Sequence, residues 1–294
     1  MGIVYAIIVS VIFSLYIIPR KFTKMNPVLY MAFLGLAFFV ASGIFYVSVN
    51  NTSIGYNETL WDFWHLLSAL QGILWFGGGV FLNIAIDKIG ISKSNQWKNL
   101  QGPIGSSLMI LFLGDVSGTA VFFVIAGIIL ILVSAALFTI QKEGENMRDI
   151  KSGILLAVLS AVLFGTNALL QKMLNNEGFI FSKNVYSSLF VLLSAVIYYL
   201  IIYRNPKDLI TLNYEKLFPI SAGIMYSIAA IFSVLAYNMI AGSVAFSIIQ
   251  LNTFWTILIG IFIFKEIDFK KNWIRIAIGF IFAIGAVILL IFAL

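Results

Sequence analysis

Two clusters of amide side chains are where this sequence could do chemistry. Asn95, Gln96, Lys98, Asn99, Gln101, Ser106 and Ser107 stand within one otherwise apolar stretch, and Ser243, Ser247, Gln250, Asn252 and Thr253 within another. Asn95, Asn99 and Gly102 recur at i, i+4 and i+7, which puts them on one face of a helix. Carboxamides both donate and accept hydrogen bonds. Hydroxyl groups do the same, so such a face suits a hydroxylated solute. Trp75, Tyr226, Trp97 and Trp255 offer flat apolar faces for the C–H side of a ring. A single His and the lack of Cys deny the chain a two-His metal site, a thiolate site and a Cys nucleophile. No GxxxxGK[ST] phosphate loop occurs. The chemistry on offer is binding, with no cofactor and no metal expected.

The elements that must position these residues are membrane helices. Of the 294 residues, 61% are hydrophobic and 10% charged, with mean hydropathy +1.04. A soluble domain carries about 45–50% apolar and about 25% charged residues. A water-soluble globule, a disordered chain and a nucleic-acid binder are thereby excluded, although the net charge is +6. A span needs about 20 apolar residues. Ten stretches qualify, at roughly 2–18, 28–49, 64–86, 95–113, 119–140, 152–171, 184–203, 217–239, 242–264 and 273–293. Residues 120–140 are apolar almost throughout, unlike the alternating strands of a barrel. The first stretch lacks the basic start and the cleavage site of a signal peptide. The expectation is an all-α, multi-pass integral membrane protein of ten transmembrane helices.

Basic residues orient the chain. Counted to just inside the helix ends, sixteen Lys and Arg fall in the odd-numbered connections, and only Lys172 and Lys183 in the even ones. Cytoplasmic connections are the basic ones, so both termini are expected outside the cytoplasm. The second connection also holds two glycosylation-type sequons, at Asn51 and Asn57.

Shifting the chain by 151 residues makes it resemble itself. Asn99 falls on Gln250, Gln101 on Asn252, Trp75 on Tyr226, Tyr16 on Asn167, Lys21 on Lys172 and Asp115 on Glu266. The predicted organisation is a first five-helix repeat over 1–143, a cytoplasmic linker at 144–151 and a second repeat over 152–294. Five is odd, so equivalent helices cross in opposite senses. Such a 5+5 inverted-topology repeat is a recurrent construction of secondary transporters.

The run from Ala236 through Tyr237, Asn238 and Ser243 to Phe264-Lys265-Glu266, then to Gly279 and Gly285, resembles the repeated domain of the drug/metabolite transporter superfamily (EamA-like carriers). The first-half counterpart ends at Leu113-Gly114-Asp115. Residues 95–103, with the outside termini, look more like the bacterial sugar-uptake branch, of the glucose/ribose and rhamnose kind. The resemblance covers essentially the whole chain. It implies a single-chain carrier in a prokaryotic plasma membrane, with a central cavity lined by spans 1, 3, 4, 6, 8 and 9.

Depth supports a midplane site. At about 1.5 Å per residue, Gln101 lies roughly 9 Å inside its span, and Gln250 and Asn252 about 11–14 Å inside theirs. Asn99, Gln101, Gln250 and Asn252 are the candidate hydroxyl binders, with Trp75, Tyr226, Trp97, Trp255, Tyr16, Asn167 and Lys98 as further candidates. The amides could instead glue helices together. Pro103, near mid-span, is expected to open the helix. Lys98 either snorkels to the surface, contacts substrate, or pairs with Asp87. His65 is expected to be solvated. Asp115 and Glu266 are expected to pair with bases such as Lys265 or Lys270. Trp61, Trp64, Trp273 and the Tyr198-Tyr199 pair read as an interfacial belt. Gly77-Gly78-Gly79 reads as a close helix contact.

No carboxylate stands at mid-span, so a neutral polar solute, foremost a sugar, suits the residues best, moved by alternating access. The alternative is an exporter of amino acids or related metabolites, with Lys98 holding a carboxylate. A membrane scaffold or an intramembrane enzyme is the third class. The enzyme would need paired carboxylates or a nucleophile with a base, and neither is present. The expected partners are a small-molecule substrate and the lipid bilayer, without nucleic acid. Oligomeric state is not encoded in any compelling small-xxx-small face.

Overall fold

The computed structural model describes residues 1–50, 58–137, 147–211, 213–265 and 269–292. They form α1 (Gly2–Leu15), α2 (Pro27–Asn50), α3 (His65–Lys98), α4 (Gln101–Leu113), α5 (Thr119–Leu137), α6 (Met147–Asn176), α7 (Ser182–Tyr203), the short α8 (Lys207–Ile210), α9 (Leu217–Met239), α10 (Gly242–Ile249), α11 (Asn252–Phe262) and α12 (Phe269–Ile291), with 3₁₀ turns at Ile18–Phe22 and Tyr214–Lys216. No strand occurs among the described residues. Eight helical stretches among them are long and apolar enough to cross a bilayer, and Thr119–Ser134 is a shorter apolar helix. Asn51, Asn57 and Glu266 lie outside the described residues, as do residues 144–146 of the predicted linker, while its residues 147–151 form the start of α6.

One stretch needs explanation. His65–Leu113 is 49 residues long. As a straight helix it would run about 74 Å, more than twice a hydrocarbon core of about 30 Å. It is not straight. Gly90 has φ 82° and ψ 168° and breaks α3, a conformation open chiefly to glycine. Before Gly90, α6 runs against the chain in the opposite sense. Gly153 sits against Ile89, Ser160 Oγ donates to Gly78 O at 2.8 Å, and Asn167 Nδ2 donates to Gln71 O at 2.7 Å. Gly165, near that last contact, also meets Ile104 and Gln101 O. By residue 104 the chain has therefore returned to the level of about residue 73. The expected connection at 87–94 is a single-residue reversal, and the fourth stretch begins at Ile91 rather than Asn95. Counted from there at about 1.5 Å per residue, Gln101 sits about 15 Å deep.

Two further breaks interrupt the polar stretches. Between α3 and α4 the hydrogen bonds tighten to i→i+3, with Leu100 N donating to Trp97 O at 3.2 Å and Gly102 N to Asn99 O at 3.0 Å. Between α10 and α11 they do so again, with Gln250 N donating to Ser247 O at 3.1 Å and Leu251 N to Ile248 O at 3.0 Å. Pro103 does not open the helix. It is the third residue of α4, where a helix start has no backbone partner to lose.

Helices pack in pairs. α1 lies on α9, α10 and α11; α2 on α7 and α9; α3 on α6 and α7; α4 on α6 and α10; α5 on α12. Small residues set the spacing, as the glycine triplet predicted. A Cβ at Gly78 would stand 2.9 Å from the Phe164 ring, and one at Gly72 would overlap Ser187 O. Outward faces are apolar, with Ile44, Leu111, Ile197 and Ile281 exposed.

Candidate functional site

At the middle of the bundle lies a cavity of about 40 Å³. Aromatic rings form much of its wall: Phe13, Tyr16, Trp75, Phe164, Tyr226, Tyr237 and Phe246. Tyr226 is their hub. Its ring centroid lies 4.3 Å from Trp75, 5.4 Å from Phe13 and from Tyr16, and 4.9 Å from Phe38. The polar wall is Gln101, Asn167, Gln171, Ser233 and Lys98. A water needs about 10–15 Å³ of such space, so the cavity has room for about three. Pockets for whole ligands measure about 300–1,000 Å³. The conformation is closed around its centre.

Two smaller cavities, each about 10 Å³, adjoin it through shared residues. One shares Trp75, Asn167, Gln171 and Tyr226, and adds Gln71, Asn184 and Ser187 toward the start of α7. The other shares Tyr16 and Trp75, and adds Tyr30, Gly79 and Asn83 toward the end of α3. Trp75 lines all three. Gln71 Oε1 in the first group and Tyr30 OH in the second are buried without a hydrogen-bond partner.

Beside the central cavity, the amides form a knot. Asn95 Nδ2 donates to Asn252 Oδ1 at 3.2 Å and to Thr256 Oγ1 at 3.0 Å. Asn99 Nδ2 donates to Gln250 O at 3.3 Å, and Gln101 Nε2 to Gln250 Oε1 at 2.9 Å. Ser106 Oγ lies 3.0 Å from Ser247 Oγ and donates to Ser243 O at 3.1 Å. Gly102 permits the approach, since a Cβ there would meet Gln250 Cγ at 2.6 Å. In a low-dielectric interior an unpaired amide is costly, so these groups pair across the two helix breaks.

The structure thus divides the candidate residues. Trp75, Tyr226, Tyr16, Asn167, Gln101 and Lys98 line the cavity. Asn99, Gln250 and Asn252 do not. The side-chain amides of Gln250 and Asn252 and the Asn99 Nδ2 bond the facing helix and their own backbone, while Asn99 Oδ1 is buried without a partner. Trp255 donates from Nε1 to Ser10 Oγ at 3.0 Å and binds α11 to α1. Trp97 keeps a buried ring nitrogen without a partner, away from the cavity. Sequence reasoning missed Gln171, Phe13, Phe164, Tyr237 and Phe246. Gln171 stands one turn beyond Asn167 on the same helix face, and Phe13 and Phe164 are 151 apart. Both signals were readable.

Several charged and aromatic groups differ from expectation. Lys98 does not snorkel: it is 3% exposed, with Nζ 3.4 Å from Asn95 Oδ1 and 5.9 Å from the Phe164 ring. Asp87, one of its expected partners, holds Arg20 instead. His65 is buried rather than solvated. It stacks on Tyr186 at 4.1 Å, with Nε2 3.0 Å from Thr59 O, because the start of α7 covers it. The Lys270 side chain lies outside what the structure describes, and Asp115 holds a helix start. Its Oδ2 accepts from Ser243 N at 2.6 Å, since the first amides of α10 lack helical partners. Tyr199 leaves the belt to donate to Asp208 Oδ2 at 2.6 Å, while Trp61, Trp273 and Tyr198 are exposed as expected.

Comparison with known proteins gives three findings. The family described as sugar transport protein matches residues 52–293. A Lactobacillus johnsonii protein named for sugar uptake is 29% identical over 233 residues, covering 76% of this chain and 78% of the relative. A protein of known crystal structure superposes with TM-score 0.69 over 98% of this chain and 94% of its own, at 14% identity, a likeness of fold alone.

Proposed function

This chain belongs to the sugar transport protein family, and we propose that it works by alternating access, with sugar held in the aromatic cavity at Trp75 and Tyr226. It is a multi-pass integral membrane protein and a sugar transporter. Trp75 and Tyr226 cover the C–H faces of the sugar ring. Gln101, Asn167 and Gln171 meet its hydroxyls. Lys98 supplies the one amine in the lining, as a hydrogen-bond donor. Asn99, Gln250 and Asn252 are the framework that fixes Gln101 at the cavity edge. The observation that carries this reading is the lining itself: seven rings and a set of amides, with no carboxylate. Neither the family nor the relative favours an exporter of amino acids.

The carrier has ten passes, because the reversal at Gly90 makes two of the long 65–113 stretch and Thr119–Leu137 adds one. Its halves are 1–143 and 152–294, joined by 144–151, as in the EamA-like drug/metabolite transporter superfamily. Helix packing supports the exchange of halves. Under the 151 shift, α1 on α9 becomes α6 on α3, α2 on α9 becomes α7 on α3, α4 on α6 becomes α11 on α1, and α4 on α10 becomes α11 on the end of α3. The pairs α2–α7 and α5–α12 map onto themselves. Two halves of opposite sense give inward-open and outward-open states of similar energy. The basic connections face the cytoplasm, in a prokaryotic plasma membrane, and both termini lie outside.

Reconstituted vesicles test this reading. Labelled hexoses and pentoses should exchange across the membrane, whereas amino acids and nucleosides should not. Asn167→Ala and Tyr226→Ala should each cut sugar exchange at least tenfold at unchanged protein level. Wild-type rates in both variants would refute the site, and no exchange of any sugar by the parent chain would refute the function.

A further inference from the structure

We infer that Arg20 and Asp87 form the latch that closes the cytoplasmic side of the sugar path, and that its neutral counterpart on the other side makes the two closures unequal. Arg20 lies in the 3₁₀ turn after α1 and is 2% exposed. Its Nε donates to Asp87 Oδ1 at 3.2 Å, and its Nη2 donates to Asp87 Oδ2. The remaining nitrogen, Nη1, donates to Met25 O at 2.6 Å, and the guanidinium stands 5.3 Å from the Tyr30 ring. One side chain therefore ties the end of α1, the start of α2 and the far end of α3. This bidentate geometry is the strong form of an Arg–carboxylate pair.

The latch sits over the path. Tyr30 and Asn83 line the small cavity that joins the central one at Tyr16 and Trp75. Arg20 is one turn beyond Tyr16, and Asp87 one turn beyond Asn83. Asp87 keeps 44% of its side chain exposed. Water, ion pair, small cavity and central cavity follow one another in that order.

The opposite side repeats the arrangement with neutral residues at the two positions of the ion pair, although Lys183 Nζ donates to Gln171 O at 3.0 Å and Glu58 accepts from Ser182 nearby. Asn167, Tyr226 and Ala230 line the cavity toward α7, and they are Tyr16, Trp75 and Gly79 displaced by 151 residues, all three of which line the cavity toward the latch. The same displacement carries Arg20 onto Gln171 and Asp87 onto Asn238. Each ionised group meets a neutral amide of similar reach. Those amides are not bonded to each other. Gln171 faces the cavity, and Asn238 Oδ1 accepts from Asn175 Nδ2 at 3.2 Å. The ion pair is thus formed on one side, and its counterpart is neutral and apart on the other. Arg20 and Asp87 do not touch the central cavity. They are positioning residues that bias which side opens.

This inference rests on the alternating-access reading, but its test needs no sugar. The chain contains no Cys, so Asn83→Cys and Ser187→Cys each give a single thiol, one in each small cavity. In lipid nanodiscs both faces meet a maleimide, and membrane orientation drops out. Asp87→Asn should raise the labelling rate at position 83 at least tenfold and lower it at position 187. Should the lone Arg20 impair folding, the double variant Arg20→Gln/Asp87→Asn leaves no unpaired charge and should give the same shift. Lys88→Gln, which breaks the exposed 3.2 Å pair with Asp149, should leave both rates within twofold. Unchanged rates at both reporters in the double variant would overturn the latch. Sugar exchange failing while the labelling shift persists would overturn the sugar site and leave the latch standing.

Discussion

Gln101 and Asn252 stand 151 residues apart with the same chemistry, and the fold gives them different roles that alanine variants can separate. Gln101 lines the cavity and donates to Gln250 Oε1 at 2.9 Å. With Gln101→Ala, Gln250 keeps its own bond to Phe246 O at 3.1 Å. Gln250 Oε1 loses its donor, one interhelical bond of about 0.6 and at most about 1.7 kcal/mol, and the bound sugar loses one neutral hydrogen bond, about 0.5–1.5 kcal/mol, which weakens binding by about 2- to 10-fold. Asn252 is fully buried and makes two bonds, accepting from Asn95 at 3.2 Å and donating to Ile249 O at 3.0 Å. Hydrogen bonds between membrane helices contribute about 0.6 and at most about 1.7 kcal/mol each. Asn252→Ala should therefore cost about 1–3 kcal/mol of stability, with little change in sugar affinity. Counterflow gives the apparent KM and denaturant titration in detergent gives the midpoint. Expected is a raised KM with the smaller fall in midpoint for Gln101→Ala, and an unchanged KM with the larger fall for Asn252→Ala. If Asn252→Ala melts normally but loses affinity, the division between cavity wall and framework is wrong.

Three further outcomes follow from the packing and the charges. Gly102→Ala forces a methyl onto Gln250 Cγ at 2.6 Å and should destabilise by about 1–3 kcal/mol, whereas Gly43→Ala, with nothing within 4 Å, should be neutral or stabilising by up to about 1 kcal/mol. Paired thermal melts decide between them. Glu58 accepts from Phe181 N at 3.0 Å and from Ser182 N at 2.8 Å, ahead of α7. Glu58→Gln removes the charge favoured at a helix start, about 1 kcal/mol, and should speed hydrogen exchange at residues 181–182 about fivefold. A reporter fused after Leu294 should read as extracytoplasmic, and a cytoplasmic signal would mean that the passes are miscounted.

What the sequence made legible was what solvent transfer dictates. Long apolar runs had to be helices, and buried amides had to find partners. Aromatic residues 151 apart, Trp75 and Tyr226, meet at 4.3 Å. The missing part depends on tertiary phase. Asn95, Asn99 and Gly102 do share a face, but that face turns to α10 and α11 rather than to the cavity. Periodicity places residues on a common stripe without saying what the stripe meets. Polar residues at 87–94 suggested a loop, whereas helix continues on both sides of Gly90 and one positive φ performs the reversal. His65 and Asp115 looked solvated or ion-paired because α7 and α10, which cover them, are far away in sequence.

The position of the knot limits how the carrier can move. Asn99 and Gln250 are counterparts under the 151 shift, and they touch. Groups related by a twofold axis touch only on that axis. When the halves exchange roles, contacts on the axis map onto themselves and need not break. Contacts off the axis, such as Arg20 with Asp87, must break on one side while their counterparts form on the other. Two cross-links separate these cases. Asn99 and Gln250 are counterparts in contact, so a short bis-maleimide can bridge Asn99→Cys/Gln250→Cys across the knot. A short bis-maleimide can bridge Arg20→Cys/Asp87→Cys across the latch. Sugar exchange should survive the first cross-link at half its rate or better and fall at least tenfold with the second, returning in the uncross-linked double variant. Loss of exchange on cross-linking the knot would mean that the two helix breaks slide past each other during transport, and the axis would have to be placed elsewhere.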